Sequence, residues 1–140
     1  MCKVLIADDS EVMRTAIRKT LEEETNIHIV GEASTFAETI QMVCDFKPDV
    51  LLMDLHMAEK RNFAPDLVKA QLGTVRTLAI SFANDGDSKS LAESYGAATL
   101  LDKMNLYSEM VPTIMSFIND ETAEIHEEPD RKFSSPRLSA

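Results

Sequence analysis

Three aspartates stand where chemistry is most readily expected. Asp8 and Asp9 close the apolar run Lys3-Val-Leu-Ile-Ala7, and Asp54 closes a second run, Val50-Leu-Leu-Met53. Carboxylates gathered in one pocket repel each other, and the usual remedies are a bound cation or a raised pKa. A site of oxygen donors and waters suits Mg²⁺ better than metals that prefer thiolate or imidazole. Two further apolar runs also end on polar side chains: Ser81 follows Leu78 to Ile80, and Lys103 follows Leu100 and Leu101. A nucleophilic carboxylate, a divalent cation, a hydroxyl and an ammonium are together what a phosphoryl group on Asp54 requires. Mg²⁺ and Lys103 would offset its equatorial charge, and Ser81 would hydrogen-bond one of its oxygens. His56, two residues past Asp54, is placed to bias an attacking water, although a loop histidine is ordinarily just solvated. The plain alternative for Asp8 and Asp9 is capping of a first helix, a task for which one acid suffices. Ser81 and Lys103 taken singly are ordinary residues at strand ends, and only the constellation lifts them.

For these residues to meet, the elements that carry them must lie side by side. Lys3 to Ala7 reads as a strand, and Val12, Met13, Ala16, Ile17 and Leu21 then recur at helical spacing. Ile27 to Glu32 reads as a second strand, after which Thr35 and Glu38 form a capping box opening a helix with Phe36, Ile40, Met42, Val43 and Cys44. Lys47-Pro48-Asp49 ends that helix. The unbroken apolar run at 50–53 is typical of a parallel strand buried on both faces. A third helix is expected around Leu67, Val68, Ala70 and Leu72, a fourth strand over Arg76 to Ile80, a short helix over Ser88 to Tyr95 and a last strand over Ala98 to Leu101. Leu106, Met110, Val111, Ile114, Met115 and Ile118 then give the strongest helical period in the chain. Pro112 within it requires a bend or a distorted earlier turn. Five strands alternating with five helices point to an α/β doubly wound five-stranded parallel sheet, flavodoxin-like in order 2-1-3-4-5, with helices on both faces. In that order the ligand site lies beyond the carboxyl ends of the strands, at the switch between strands 1 and 3.

The length of 140 residues suits one core, read here as a domain over 1–120 and a flexible acidic tail over 121–140 with Glu127-Glu128-Pro129 and Ser134-Ser135-Pro136. With 24 acidic against 14 basic residues, net −10, the surface is unsuited to direct nucleic-acid binding. Apolar content of 44% argues against a wholly disordered chain, and no apolar run approaches the roughly 20 residues of a membrane span. A cytoplasmic protein is expected. Cys2 and Cys44 lack metal spacing and are read as reduced, with Cys44 on the apolar face of its helix.

The motifs Ala7-Asp8-Asp9-Ser10, Pro48-Asp-Val-Leu-Leu-Met-Asp54-Leu-His-Met57, Ser81 at the end of its strand, and Gly96-Ala97 leading to Lys103 together resemble the response regulator receiver domains of two-component signalling. The resemblance covers residues 2 to about 119. It implies that a histidine kinase or phosphotransfer protein gives a phosphoryl group to Asp54. It further implies that Asp8, Asp9, Asp54 and the backbone carbonyl of His56 hold Mg²⁺, and that Ser81 and Lys103 sense the aspartyl phosphate. Output would pass to a downstream protein through the face of the last strand and helix, where Leu100, Met104, Leu106 and Tyr107 lie, core packing or ordinary turn residues being the equal alternative for these four, with the chain monomeric or forming a phosphorylation-linked dimer. The wording Val30-Gly31-Glu32-Ala33 is most like receivers attached to helix-turn-helix domains, and the expectation for this chain is a stand-alone receiver.

Four positions depart from the family pattern. Met104 replaces the proline after the lysine, so the turn is expected to hold a strained cis bond or to be trans with Lys103 aimed differently. Leu100 replaces the switch aromatic, so no ring is available to swing in behind Ser81. Ala58 and the glycine-free stretch Glu59 to Asn62 alter the loop after Asp54, and Phe82 places bulk at the mouth of the site. Alternatives are a pseudo-receiver acting without phosphorylation, the receiver part of a larger DNA-binding regulator, and a phosphohydrolase of the haloacid dehalogenase type. That last family places its two acids one residue apart after the first strand, a spacing that Asp8-Asp9-Ser10 lacks. A flavodoxin would need a phosphate loop where these acids stand.

Overall fold

The computed structural model describes residues 1–57, 70, 72, 73, 75–81 and 86–123. Its elements are β1 (Cys2–Ala7), α1 (Glu11–Leu21), β2 (Ile27–Ala33), α2 (Phe36–Phe46), β3 (Val50–Asp54), β4 (Arg76–Ser81), α3 (Gly86–Ser94), β5 (Thr99–Asp102) and α4 (Leu106–Ala123), the last preceded by a 3₁₀ turn over Lys103–Asn105. The strands form one sheet in the order β2-β1-β3-β4-β5, and every neighbouring pair is parallel. The expected doubly wound fold is therefore the observed one. Leu67 and Val68 of the expected third helix, the loop Ala58 to Asn62, and Phe82 lie outside the described residues.

Burial explains why the strands read as continuous apolar runs. Leu5, Leu51, Met53 and Ala79 point to one side, packing with Phe36, Val43, Ala92 and Tyr95 of α2 and the α3 region. Val4, Ile6, Leu52, Leu78 and Ile80 point to the other, against Ile17 and Leu21 of α1 and Leu106, Met110 and Ile114 of α4. Both faces of β3 are covered, and its five residues are all buried. Where a helix covers only one stripe, local chemistry sets its ends. Thr35 caps α2, its Oγ1 accepting from the Glu38 amide at 3.1 Å, while Glu38 Oε1 accepts from the Ser34 amide at 2.8 Å, one residue earlier than a strict capping box. Lys47 closes the helix in the left-handed region with φ 47°, and Pro48 prevents continuation.

Two readings of the helices are corrected. Val12 is exposed, because the stripe of α1 that meets the sheet runs through Ile17 and Leu21 and Val12 falls on its outer flank. Cys44 is exposed for the same reason: Phe36, Thr39 and Val43 form the buried stripe of α2, and the next residue turns about 100° away. Leu106 is fully buried at the start of α4 and belongs to the core. Pro112 sits inside α4, which runs unbroken over Leu106–Ala123, so the Ser108 carbonyl lacks its usual N–H donor four residues on. Helix α4 continues to Ala123, three residues into the stretch expected to be tail; Glu121 and Ala123 are good helix formers, and extending an existing helix is easy. Residues 124–140 lie outside the described residues. Among the described residues no helix is long and apolar enough to cross a membrane.

Candidate functional site

Strand register brings the polar strand ends to one edge. Ala7 pairs with Met53, Asp54 with Ile80 and Ser81 with Asp102, so the residues that follow β1, end β3 and β4, and follow β5 share the carboxyl edge of the sheet. Asp8, Asp9 and Asp54 each offer a carboxylate oxygen there, and these oxygens lie within 4.8 Å of one another. Asp8 and Asp54 are buried, and Asp9 is exposed. The capping alternative for the acid pair is not what α1 uses. Ser10 is its cap, accepting from the Met13 amide at 3.2 Å, and Asp8 Oδ1 in turn accepts from the Ser10 amide at 2.8 Å. Arg14, which sequence reasoning passed over, reaches back to donate to the Asp8 carbonyl at 2.7 Å and pairs with Glu32 of β2 at 3.4 Å. The loop bearing both acids is thus tied to α1 and β2.

Lys103 supplies the opposing charge. Its Nζ lies 3.2 Å from Asp8 Oδ2 and 3.6 Å from Asp54 Oδ2, and its side chain is 6% exposed. No peptide bond among the described residues is cis, so the bond to Met104 is trans and the lysine nonetheless reaches the acids. Asp102 provides the means: its Oδ1 accepts from the Met104 amide at 2.9 Å and opens the 3₁₀ turn that turns Lys103 inward. The expectation that a trans bond would aim Lys103 elsewhere is corrected accordingly.

Asp54 Oδ1 accepts from the His56 amide at 3.0 Å. Ser81 is fully buried, and its Oγ shares a hydrogen bond of 3.0 Å with His56 Nε2 and a longer one of 3.4 Å with Ser88 Oγ in the first turn of α3. Neither contact was legible in the sequence, where Ser88 stands out only as an ordinary residue at a helix start. On the face expected to meet partners, Met104 and Tyr107 are 77% and 55% exposed, while Leu100 packs partly buried against the core.

Burial pushes the Asp8 carboxyl above its ordinary value; the nearby Asp54 charge adds to this, while the Ser10 amide and Lys103 oppose it. A carboxyl whose pKa is higher folded than unfolded gives stability that is full below the unfolded value and lost as pH rises through the folded one. Asp8→Asn is therefore expected to raise the urea midpoint at pH 7, with the gain fading as the pH falls toward the ordinary value of 3.8; equal midpoints at neutral pH would contradict it. The pocket also fits a hard divalent cation. Asp8, Asp9 and Asp54 supply only oxygen donors, their carboxylate oxygens lie within 4.8 Å of one another, and the single Lys103 ammonium leaves part of their charge unmatched.

Comparison with known proteins agrees with this geometry. The family described as response regulator receiver domain matches residues 4–114. The transcriptional regulatory protein LiaR of Bacillus subtilis (strain 168) is 29% identical over 115 residues, 81% of this chain and 54% of LiaR. A protein-glutamate methylesterase/protein-glutamine glutaminase of Idiomarina loihiensis is 33% identical over 105 residues, 72% of this chain and 27% of the relative. The chain thus spans about half the length of the first relative and about a quarter of the second. The signal receiver domain of NarL from Mycobacterium tuberculosis superposes with a TM-score of 0.72 at 24% identity, covering 82% of this chain and 94% of that one. With a family match that runs from β1 into α4 and a strand order shared with known receivers, this chain belongs to the response regulator receiver domains of two-component signalling.

Proposed function

We propose that this receiver accepts a phosphoryl group on Asp54 from the phosphohistidine of a histidine kinase or phosphotransfer protein, and that the modified domain signals by protein contact. The observation that supports it most directly is the buried Asp54 carboxylate at the end of β3, facing the Lys103 ammonium at 3.6 Å and grouped with two further acids. In the transfer an Asp54 oxygen forms a bond to phosphorus as the P–N bond to the donor imidazole breaks; the imidazole leaves with the electron pair and is protonated by solvent. Lys103 places positive charge beside the phosphoryl oxygens, and the His56 amide holds the other Asp54 oxygen in place. Ser81, one residue beyond the partner of Asp54 in β4, donates its hydroxyl to a phosphoryl oxygen. Asp8, Asp9, Asp54 and the backbone carbonyl of His56 would hold Mg²⁺, which would supply further positive charge for the dianionic phosphoryl group. The domain performs this chemistry only on itself.

The output surface proposed is the exposed pair Met104 and Tyr107 beside β5 and α4, with a protein as partner. The acidic charge of the chain supports a protein partner over a nucleic acid at this surface. The test is intact-mass spectrometry after incubation with acetyl phosphate and Mg²⁺, with beryllofluoride binding measured in parallel. One phosphoryl group added to the wild type, and absent both in Asp54→Asn and when Mg²⁺ is chelated, is the expected result. Failure to bind beryllofluoride in the presence of Mg²⁺ overturns the reading in favour of a receiver that acts unphosphorylated.

A further inference from the structure

The side chain of His56 has no part in the transfer just described, yet it is engaged. Its Nε2 meets the Oγ of Ser81, the hydroxyl that the phosphoryl group needs, at 3.0 Å, and the same Oγ lies 3.4 Å from Ser88 Oγ. A serine hydroxyl carries one proton and cannot donate it both to an imidazole and to a phosphoryl oxygen. We propose that His56 is a positioning residue for Ser81: in the unphosphorylated protein its Nε2 accepts the Ser81 proton, and the phosphoryl group on Asp54 must win that hydroxyl from the imidazole. This rests on the reading of Asp54 as phosphoacceptor and adds a competitor that bears on how readily the site responds.

The distances admit this direction of donation, and the tautomer of the ring decides it. The His56 contact is the shorter of the two, and a hydroxyl–imidazole bond of 3.0 Å is well within the ordinary range, whereas 3.4 Å to Ser88 is long for a hydroxyl pair. The ring is then in the Nδ1–H tautomer, with Nε2 free to accept. Ser88 gives the exchange a destination. It is 3% exposed in the first turn of α3, so a Ser81 hydroxyl that moves toward Asp54 also changes a contact with that helix. With Leu100 at the β5 position, no aromatic ring at that position carries this change outward, and the hydrogen-bonded line from His56 through Ser81 to Ser88 is a route that needs none.

The experiment is beryllofluoride titration in Mg²⁺ of the wild type, His56→Phe, Ser81→Ala and the double variant, with long-range ¹H–¹⁵N spectra of the imidazole at about pH 8, where a free histidine is neutral. His56→Phe keeps the ring and removes the acceptor. It is expected to tighten beryllofluoride binding about fivefold, the size of one neutral hydrogen bond, and to have no effect in the Ser81→Ala background. In the free wild-type protein the His56 Nε2 resonance should be that of an unprotonated nitrogen, shift on Ser81→Ala, and shift again when beryllofluoride binds. A protonated Nε2 overturns the inference, as does a His56→Phe effect that is nil or is equal with and without Ser81. Absence of beryllofluoride binding by the wild type would instead remove the phosphoacceptor reading, while the imidazole spectra of the free protein still report whether the Ser81 bond exists.

Discussion

Lys103→Met is expected to lower the free energy of unfolding by about 3 kcal/mol at pH 7, at the low end for breaking a buried ion pair because solvent reaches the cluster at Asp9. The side chains of Lys103, Asp8 and Asp54 are 6%, 1% and 8% exposed, so removing the ammonium leaves two carboxylates shielded from water with no cation opposite. The loss has a pH signature. Burial already holds the Asp8 carboxyl above its ordinary value, and Lys103 is one of the groups pulling it down. Without Lys103 it rises further, and stability linked to a raised carboxyl is present in acid and lost as pH increases. The deficit of the variant against wild type, read from urea midpoints, should therefore be largest near neutrality and shrink on acidification. A deficit that is the same at every pH would mean that the lysine contributes by packing alone.

Phe36→Ala is expected to cost about 3–5 kcal/mol with no such pH dependence. Phe36 opens α2, is fully buried, and packs in the cluster formed by Leu5, Ala7, Val43, Leu51 and Met53. Its truncation leaves a cavity beside β1 and β3, the two strands that carry the acids. Against a total stability of about 5–15 kcal/mol this leaves a domain that unfolds readily, with a lower urea midpoint and an unchanged slope. A loss under about 1 kcal/mol would show that α2 settles into the space. Together the two variants separate what the charge cluster contributes from what the core contributes.

Much of the site could be read before the fold because parallel strands buried on both faces appear as unbroken apolar runs, and each run stops where the sheet meets solvent. Asp54 and Ser81 end such runs, and Asp8 and Lys103 directly follow the strands that carry them. Helix faces are less legible. Val12 and Cys44 each adjoin a true stripe, and a turn of 100° per residue leaves neighbours on either flank that only packing can assign. The turn at Lys103 is less legible for a different reason: without a proline two conformations are open, and the one observed is opened by Asp102 accepting from the Met104 amide. The His56 contact was out of reach altogether. It joins residues 25 apart through a rotamer, and neither spacing nor residue type specifies that rotamer.

The strand order has a consequence for how the chain is made. As it leaves the ribosome, β1 can pair with β2 and then β3, which already assembles the three aspartates. Lys103 emerges about fifty residues later, so the acids are gathered before their cation exists. If the three strands pair in that interval, the outer edge of β3 has its amides and carbonyls unpaired until β4 arrives. Nascent chains stalled between Asp54 and Lys103 thus combine an electrostatically strained pocket with an open sheet edge, the length range in which binding to a chaperone has most to protect.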